Sequence, residues 1–457
     1  MTRPTTAGRA SRVPARMLLK AKRVARRIFP ARGEEPRAWT TASRRFLEPV
    51  APLAPTDPPG PTIVLLNDCR DQVNFGSHAL VEGLLRIVQD RVPDATILPI
   101  PSHWMLGTAN LDPYENRGEG FREPQVKYPS VADQFETIAD EWIDGRGGRD
   151  AHEFLERFSA ADLVLLNGEG SVYRDNQSAI RELFLVGLAR ERLGIPTVFA
   201  NGGVHLTDVM PLLPAMVRKT FPLLDAVAVR EPRSLRNLQE YLPDLDARLF
   251  PDAAFVFAPE DARESAAVAA VRRRIGGAPY FCFDPGPMPM DRRGGTSALH
   301  QLISAVKGDA FQAVLVCKDP TDTFLEQIAD ETGSLCVDEL VDFREYMALV
   351  SDARFAVSGR YHNTILAAIM GCPTVTFGSA SHKVHGACET LEGVLGTPYD
   401  ATNLLPDLDA IVQRTRGYAQ GRAEWGDQLR EICGRRRSEV MGLGDLVSGV
   451  LQDHARV

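Results

Sequence analysis

The chain has 457 residues, 44% apolar and 25% charged, and 52 Lys and Arg stand against 60 Asp and Glu for a formal net charge of −8. At that length one hydrophobic core no longer serves, so two domains of about 200 residues each are expected. No stretch approaches the ~18 consecutive apolar residues of a membrane span, which excludes a helical integral membrane protein. The seven cysteines, at 69, 282, 317, 336, 372, 388 and 433, are an odd number set in apolar stretches. That pattern fits thiols in a reducing compartment rather than a disulfide framework, so a cytoplasmic protein is expected.

In chain order, residues 1–32 hold ten Lys or Arg and no acid, leaving 42 basic against 60 acidic residues beyond them. An acidic body of charge −18 argues against nucleic acid as a partner. Within the arm, "VPARMLLKAKRVARRIF" sets Met17, Ala21, Val24 and Ile28 on one helical face, with Arg16, Lys20, Arg23, Arg26 and Arg27 around it. This suits an interfacial helix on an anionic membrane, a peripheral placement at its inner face. A transit peptide and a disordered basic tail are open alternatives. The Pro-rich "EPVAPLAPTDPPGP" at 48–61 can neither hold a helix nor sit in a central strand. Residues 1–60 therefore read as arm and linker.

From there short apolar runs alternate with helical patterns. "TIVLLN" (62–67), "ATILPI" (95–100), "DLVLLN" (162–167), "PTVFAN" (196–201) and "DAVAVR" (225–230) predict parallel strands covered on both faces, a doubly wound Rossmann-like domain over 61–258. Segment 101–150, rich in Gly, Pro and charge, reads as a long insertion. The pattern resumes with "PYFCFD" (279–284), "QAVLVCK" (312–318), "ARFAVSG" (353–359) and "PTVTFG" (373–378), a second such domain over 259–420. The helical stretch 421–457 is expected to cross back onto the first domain.

Ligands of open α/β sheets bind beyond the carboxyl ends of the strands, so the strand ends nominate the site. The first leads to Asn74, Gly76 and Ser77, which open a helix, and the third to "NGEGS" with Gly168 and Gly170. The fourth leads to "NGGVHL" with Gly202 and Gly203, and the fifth to Arg230. In the second domain the ends are Asp284, Lys318 and "SGRYHN", with Arg360 and His362. Two glycine loops and several cations on the same edges describe an anion site. The glycines can equally serve helix–sheet packing, and Arg230 can be a structural partner of Glu231 or Asp225. His382, His385 and Cys388 in "SHKVHGAC" are spaced three apart but lack a fourth ligand. No metal is expected, and Lys383 beside them can answer an anionic ligand. Neither G-x-G-x-x-G nor G-x-S-x-G is present, so no dinucleotide cofactor and no serine nucleophile are expected.

The blocks "NFGSHALVEGL", "LLNGEGS", "VAVREPRSLRNL", "PDAAF" and "VSGRYHNTILAAIMGCPTVTFG" together resemble the polysaccharide pyruvyl transferase family. The last block is the most specific, with Arg360-Tyr361-His362, a helix of small residues, then Gly371-Cys372-Pro373. Family members commonly have Asp at the position of Ser77 and a run of three glycines at Gly168-Glu169-Gly170. The resemblance implies two domains facing a cleft as in the GT-B glycosyltransferases. It also implies transfer of pyruvate from phosphoenolpyruvate onto two hydroxyls of a sugar as a cyclic ketal. The sugar acceptor would belong to a surface or exopolysaccharide precursor and could be lipid-linked. Donor-binding residues carried over are Arg230, Arg360 and His362, with Lys383 close behind. Guanidinium forks suit the carboxylate and phosphate of the donor. A histidine, with a reference pKa of about 6.5, can protonate the methylene carbon as C2 becomes oxocarbenium-like. That makes His362 the catalytic acid and Arg360 its clamp. A GT-B-like transferase using a nucleotide sugar, and a non-catalytic sugar- or phosphate-binding relative, are the alternatives.

Overall fold

The computed structural model describes residues 60–71, 74–104, 125–170, 172–286, 295–317, 322, 324–338, 340, 342–378 and 381–455. The basic arm, the Pro-rich linker to residue 59 and Lys318 lie outside the described residues.

Two wholly parallel sheets form the frame. The first contains β1 (Thr62–Asp68), β2 (Thr96–Pro101), β3 (Leu163–Asn167), β4 (Thr197–Gly202), β5 (Ala226–Val229) and β6 (Ala247–Leu249), in the order β2-β1-β3-β4-β5-β6. The second contains β7 (Tyr280–Asp284), β8 (Gln312–Val316), β9 (Leu335–Val337), β10 (Ala356–Ser358) and β11 (Thr374–Thr376), in the order β11-β10-β7-β8-β9. The apolar runs became strands because both faces of each are buried. Along β1, Ile63 and Leu65 join one core while Val64 and Leu66 join another, as the two-residue period of a strand requires. The short edge strands β6 and β9 are not apparent in the sequence, since most of their residues are not fully buried and so they lack a continuous apolar run.

The helices that bear on the site are α1 (Phe75–Arg91), α2 (Pro232–Tyr241), α3 (Phe343–Ser351), α4 (Tyr361–Ile369), α5 (Lys383–Thr390), α6 (Arg422–Val440) and α7 (Gly442–Ala455). One hydrophobic core is shared by the two sheets: Ile63 and Leu84 belong to it together with Cys282, Val314 and Ile365. Its aromatic contacts cross from one half to the other, with Phe75 stacked on Tyr346 at 5.6 Å between ring centroids and Phe257 tilted against Phe343 at 4.7 Å. Helix α7 returns to the first half, where Asp445 accepts from Arg91 Nε at 2.6 Å and His454 Nε2 lies 2.9 Å from Asp225. Each sheet has a point where strand order reverses, between β1 and β3 in the first and between β7 and β10 in the second. Both points contribute to the site.

Candidate active site

Near the carboxyl ends of β1, β3 and β4 stand three asparagines. Asn67 and Asn201 adopt the left-handed backbone, with φ of 62° and 61°, which Asn tolerates better than most residues. The Asn67 amide donates to the carbonyls of Asn167 and Glu169, each at 2.9 Å, and the Asn167 amide returns a bond to the Asn67 carbonyl at 3.0 Å. Asn201 Oδ1 accepts from the Ala253 amide at 3.0 Å. Two of the candidate loop glycines have a packing reason. A Cβ on Gly168 would lie 2.5 Å from Phe199, and one on Gly202 would lie 2.0 Å from it. Gly170, at φ +70° with open space beside it, supplies the turn that sends Glu169 toward Arg230.

The Arg230 guanidinium is wholly buried within three carboxylates. Nη1 donates to Glu169 at 2.6 Å and to Asp252 at 3.0 Å, while Nε lies 3.4 Å from Glu231. The ring of Tyr361 covers one face, its centroid 4.4 Å from the guanidinium carbon, a cation–π contact. Of the sequence's two structural partners for Arg230, Glu231 is adjacent, whereas Asp225 pairs with Arg190 at 2.9 Å. The remaining edge, Nε and Nη2, makes no hydrogen bond, and a Cβ on Gly203 would sit 3.5 Å from both atoms. Residue 203 thus puts no side chain over this buried edge, whose planar pair of N–H groups suits a planar anion. Burial alone would raise the Glu169 carboxyl, but Arg230, Lys383 and His362 hold it well below the usual carboxylate range. Asp252 is likewise held below its ordinary value, against burial, by His362 and Arg230.

The second half supplies His362. Arg360 is the N-cap of α4, which places His362 in its first turn, 96% buried, with Nε2 3.7 Å from Asp252 and making no hydrogen bond. Its neighbour across the halves is the start of α1, where a Cβ on Gly76 would lie 2.8 Å from His362 Cβ. Asn74 caps that helix by accepting from the Gly76 amide at 3.0 Å, and Ser77 is buried behind it. Lys383 Nζ lies 4.6 Å from the centroid of the Tyr173 ring. Arg230, His362 and Lys383 therefore converge electrostatically on Glu169. Arg360 reaches elsewhere, to the second reversal point: Nη2 donates to both oxygens of Asp322 at 2.5 and 2.6 Å, and Nε lies 3.8 Å from Asp284. Asp284 in turn accepts from Ser358 at 2.9 Å and Asn363 at 3.0 Å.

The model of the polysaccharide pyruvyl transferase family matches residues 74–381, two thirds of the chain. The chain belongs to that family. No curated protein matches it. Among solved structures it is similar to Anabaena HepE in complex with UDP-glucose, at 14% identity over 87% of this chain and 99% of that one, with a TM-score of 0.51. It is similar to the UDP-GlcNAc 2-epimerase of Neisseria meningitidis, at 12% identity over 86% and 100% of the two chains, TM-score 0.51. Sucrose-phosphate synthase of Thermosynechococcus elongatus follows at 14% over 85% and 98%, TM-score 0.50. At these identities the likeness is one of fold, and the fold is GT-B-like.

Beside the family's Arg-x-His block lies a histidine pair that joins the halves. His205, after β4, and His382, before α5, approach Nδ1 to Nδ1 at 2.7 Å. His382 Nε2 lies 3.2 Å from Ser234 Oγ and 3.4 Å from Glu231. Burial, with His382 second, lowers the His205 imidazole from its ordinary value. Burial likewise lowers His385, and Cys388 pairs with Thr376 at 3.4 Å. Among the described residues no group of His, Cys, Asp and Glu is placed to hold a metal ion. Sequence reasoning gave no role to Glu169, Asp252 and Asp322. Asp252 had a signal, its place in "PDAAF"; Asp322 had none.

Proposed function

We propose that the protein transfers pyruvate from phosphoenolpyruvate onto a sugar of a surface or exopolysaccharide precursor, as a cyclic ketal. The carrying observation is the meeting, across the two halves, of a buried guanidinium and a buried imidazole. The Nε/Nη2 edge of Arg230 and Nε2 of His362 each make no hydrogen bond, and buried polar groups left so are poised for a ligand. Membership of the family supports the same reading. Arg230 binds one anionic group of the donor through the edge that makes no hydrogen bond, Nε and Nη2. Arg360, by exchanging Asp322 for ligand oxygens, binds the other, with Lys383 adding charge. His362 protonates the methylene carbon, which becomes the methyl group. The first sugar hydroxyl then bonds to C2 and its proton passes to the His362 imidazole; the bond from C2 to the phosphate oxygen breaks with its electrons going to phosphate, and the second hydroxyl bonds to C2 to close the ketal, its proton leaving with the phosphate. A dry site protects the oxocarbenium-like centre from water.

The test supplies purified full-length protein with phosphoenolpyruvate and glycan precursors extracted from an exopolysaccharide-forming cell. Phosphate release that depends on the glycan, with a carboxyethylidene group found on it by mass spectrometry, is the expected result. Glycosyl transfer from a nucleotide sugar instead, with no phosphate released from phosphoenolpyruvate, contradicts it.

A further inference from the structure

Three carboxylates surround Arg230, and they are not equivalent. Glu231 and Asp252 have wholly buried side chains, while that of Glu169 is 13% exposed. The two buried ones are built in. Asp252 accepts the Ala254 amide at 2.9 Å at the start of a helical turn, and Glu231 accepts the Ser234 hydroxyl and packs beneath Gly386. Glu169 instead sits in a turn between Gly168 and Gly170, with open space beside Gly170. Glu169, Glu231 and Asp252 offset the charges of Arg230, Lys383 and a protonated His362, so the pocket carries no net positive charge, a poor reception for a multiply charged anion.

We propose that Glu169 is the residue that sets the anion affinity of this site: its carboxylate is an internal ligand of Arg230 that an incoming carboxylate or phosphate displaces. The inference rests on the reading of the site as an anion pocket. A second observation points to a ligand independently of the acidic cluster. Arg230, 99% buried, keeps Nε and Nη2 without a hydrogen bond beside the side-chain-free Gly203. An anion can engage that fork first and then take over Nη1 as Glu169 swings into solvent on its glycine-flanked turn. Removing the charge at 169 takes away both the competition for Nη1 and the repulsion. Affinity for anions then rises, the opposite of what loss of a merely structural residue does.

The experiment is calorimetric titration of wild type, Glu169→Gln and Glu169→Gly with inorganic phosphate and, separately, with phosphoenolpyruvate at low salt. Both variants are expected to bind phosphate about tenfold more tightly or better than wild type, as relief of one close like charge allows. Glu169→Asp, which keeps the charge and withdraws it by one methylene, is expected to fall between and covers the case in which the neutral variants do not fold. Unchanged or weaker phosphate binding in a folded variant, or no phosphate binding in any protein, overturns the proposal. If phosphate tightens but phosphoenolpyruvate binds no better than phosphate, Glu169 is the internal anion and the donor reading fails. If wild type favours phosphoenolpyruvate and the variants gain nothing, the donor reading stands and the role of Glu169 falls.

Discussion

Two residues apart in sequence, Arg360 and His362 have different partners, Asp322 and Asp252, and their variants should separate. His362→Ala removes the proposed proton donor and should lower kcat about 10²-fold or more while donor KM changes little; steady-state kinetics on the folded variant decide it, and unaltered kcat removes His362 from the chemistry. Arg360→Lys replaces the planar guanidinium proposed to clamp the donor with a single ammonium nitrogen, so donor KM should rise about tenfold. An unchanged KM would leave Arg360 a structural residue. Asp252 carries a pH prediction. Its carboxyl is held below the ordinary value in the folded chain, so its ionised form adds stability above about pH 4, lost as pH falls through the lowered value. The melting temperature of Asp252→Asn should therefore lie below wild type at pH 7, with the gap closing below about pH 4. A gap that is constant with pH would mean that the carboxylate charge contributes nothing.

At the scale of elements, the site depends on how closely two helix starts approach. A Cβ on Gly76 would meet His362 Cβ at 2.8 Å, so Gly76→Ala should push α1 from α4. A cost of about 1–3 kcal/mol by thermal melting is expected, with kcat falling more than stability does. Full turnover in Gly76→Ala would show that the contact tolerates movement. The strands other than β6 and β9, the two doubly wound sheets and the helix starts at Asn74 and Arg360 were legible in the sequence, because apolar runs buried on both faces and polar residues at helix starts leave local patterns. The carboxylates at 169, 252 and 322 were not. Their role comes from contacts spanning 61, 22 and 38 positions, and no local period records such pairings. For the same reason the glycines at 168 and 202 could not be divided between ligand and packing until Phe199 was in place.

At the scale of the whole molecule, the His205–His382 contact joins the halves through 2.7 Å between ring nitrogens, with Glu231, Arg230 and Lys383 close by on the elements around it. Because burial lowers His205 below its ordinary value, the unfolded chain takes up that proton first as pH falls, and stability declines below about pH 6.5. His205→Asn should flatten the melting temperature as pH falls below about 6.5, and an unchanged slope would assign the acid sensitivity to other groups. The central claim, that the cleft between the halves is a phosphoenolpyruvate site on a GT-B-like fold, is tested most directly by ligand-linked stabilisation of the full chain without divalent metal. Phosphoenolpyruvate at millimolar concentration is predicted to raise the melting temperature, UDP-glucose to leave it unchanged, and the shift to vanish in a variant lacking both Arg230 and Arg360. A shift with UDP-glucose and none with phosphoenolpyruvate would contradict the account and make the protein a nucleotide-sugar binder.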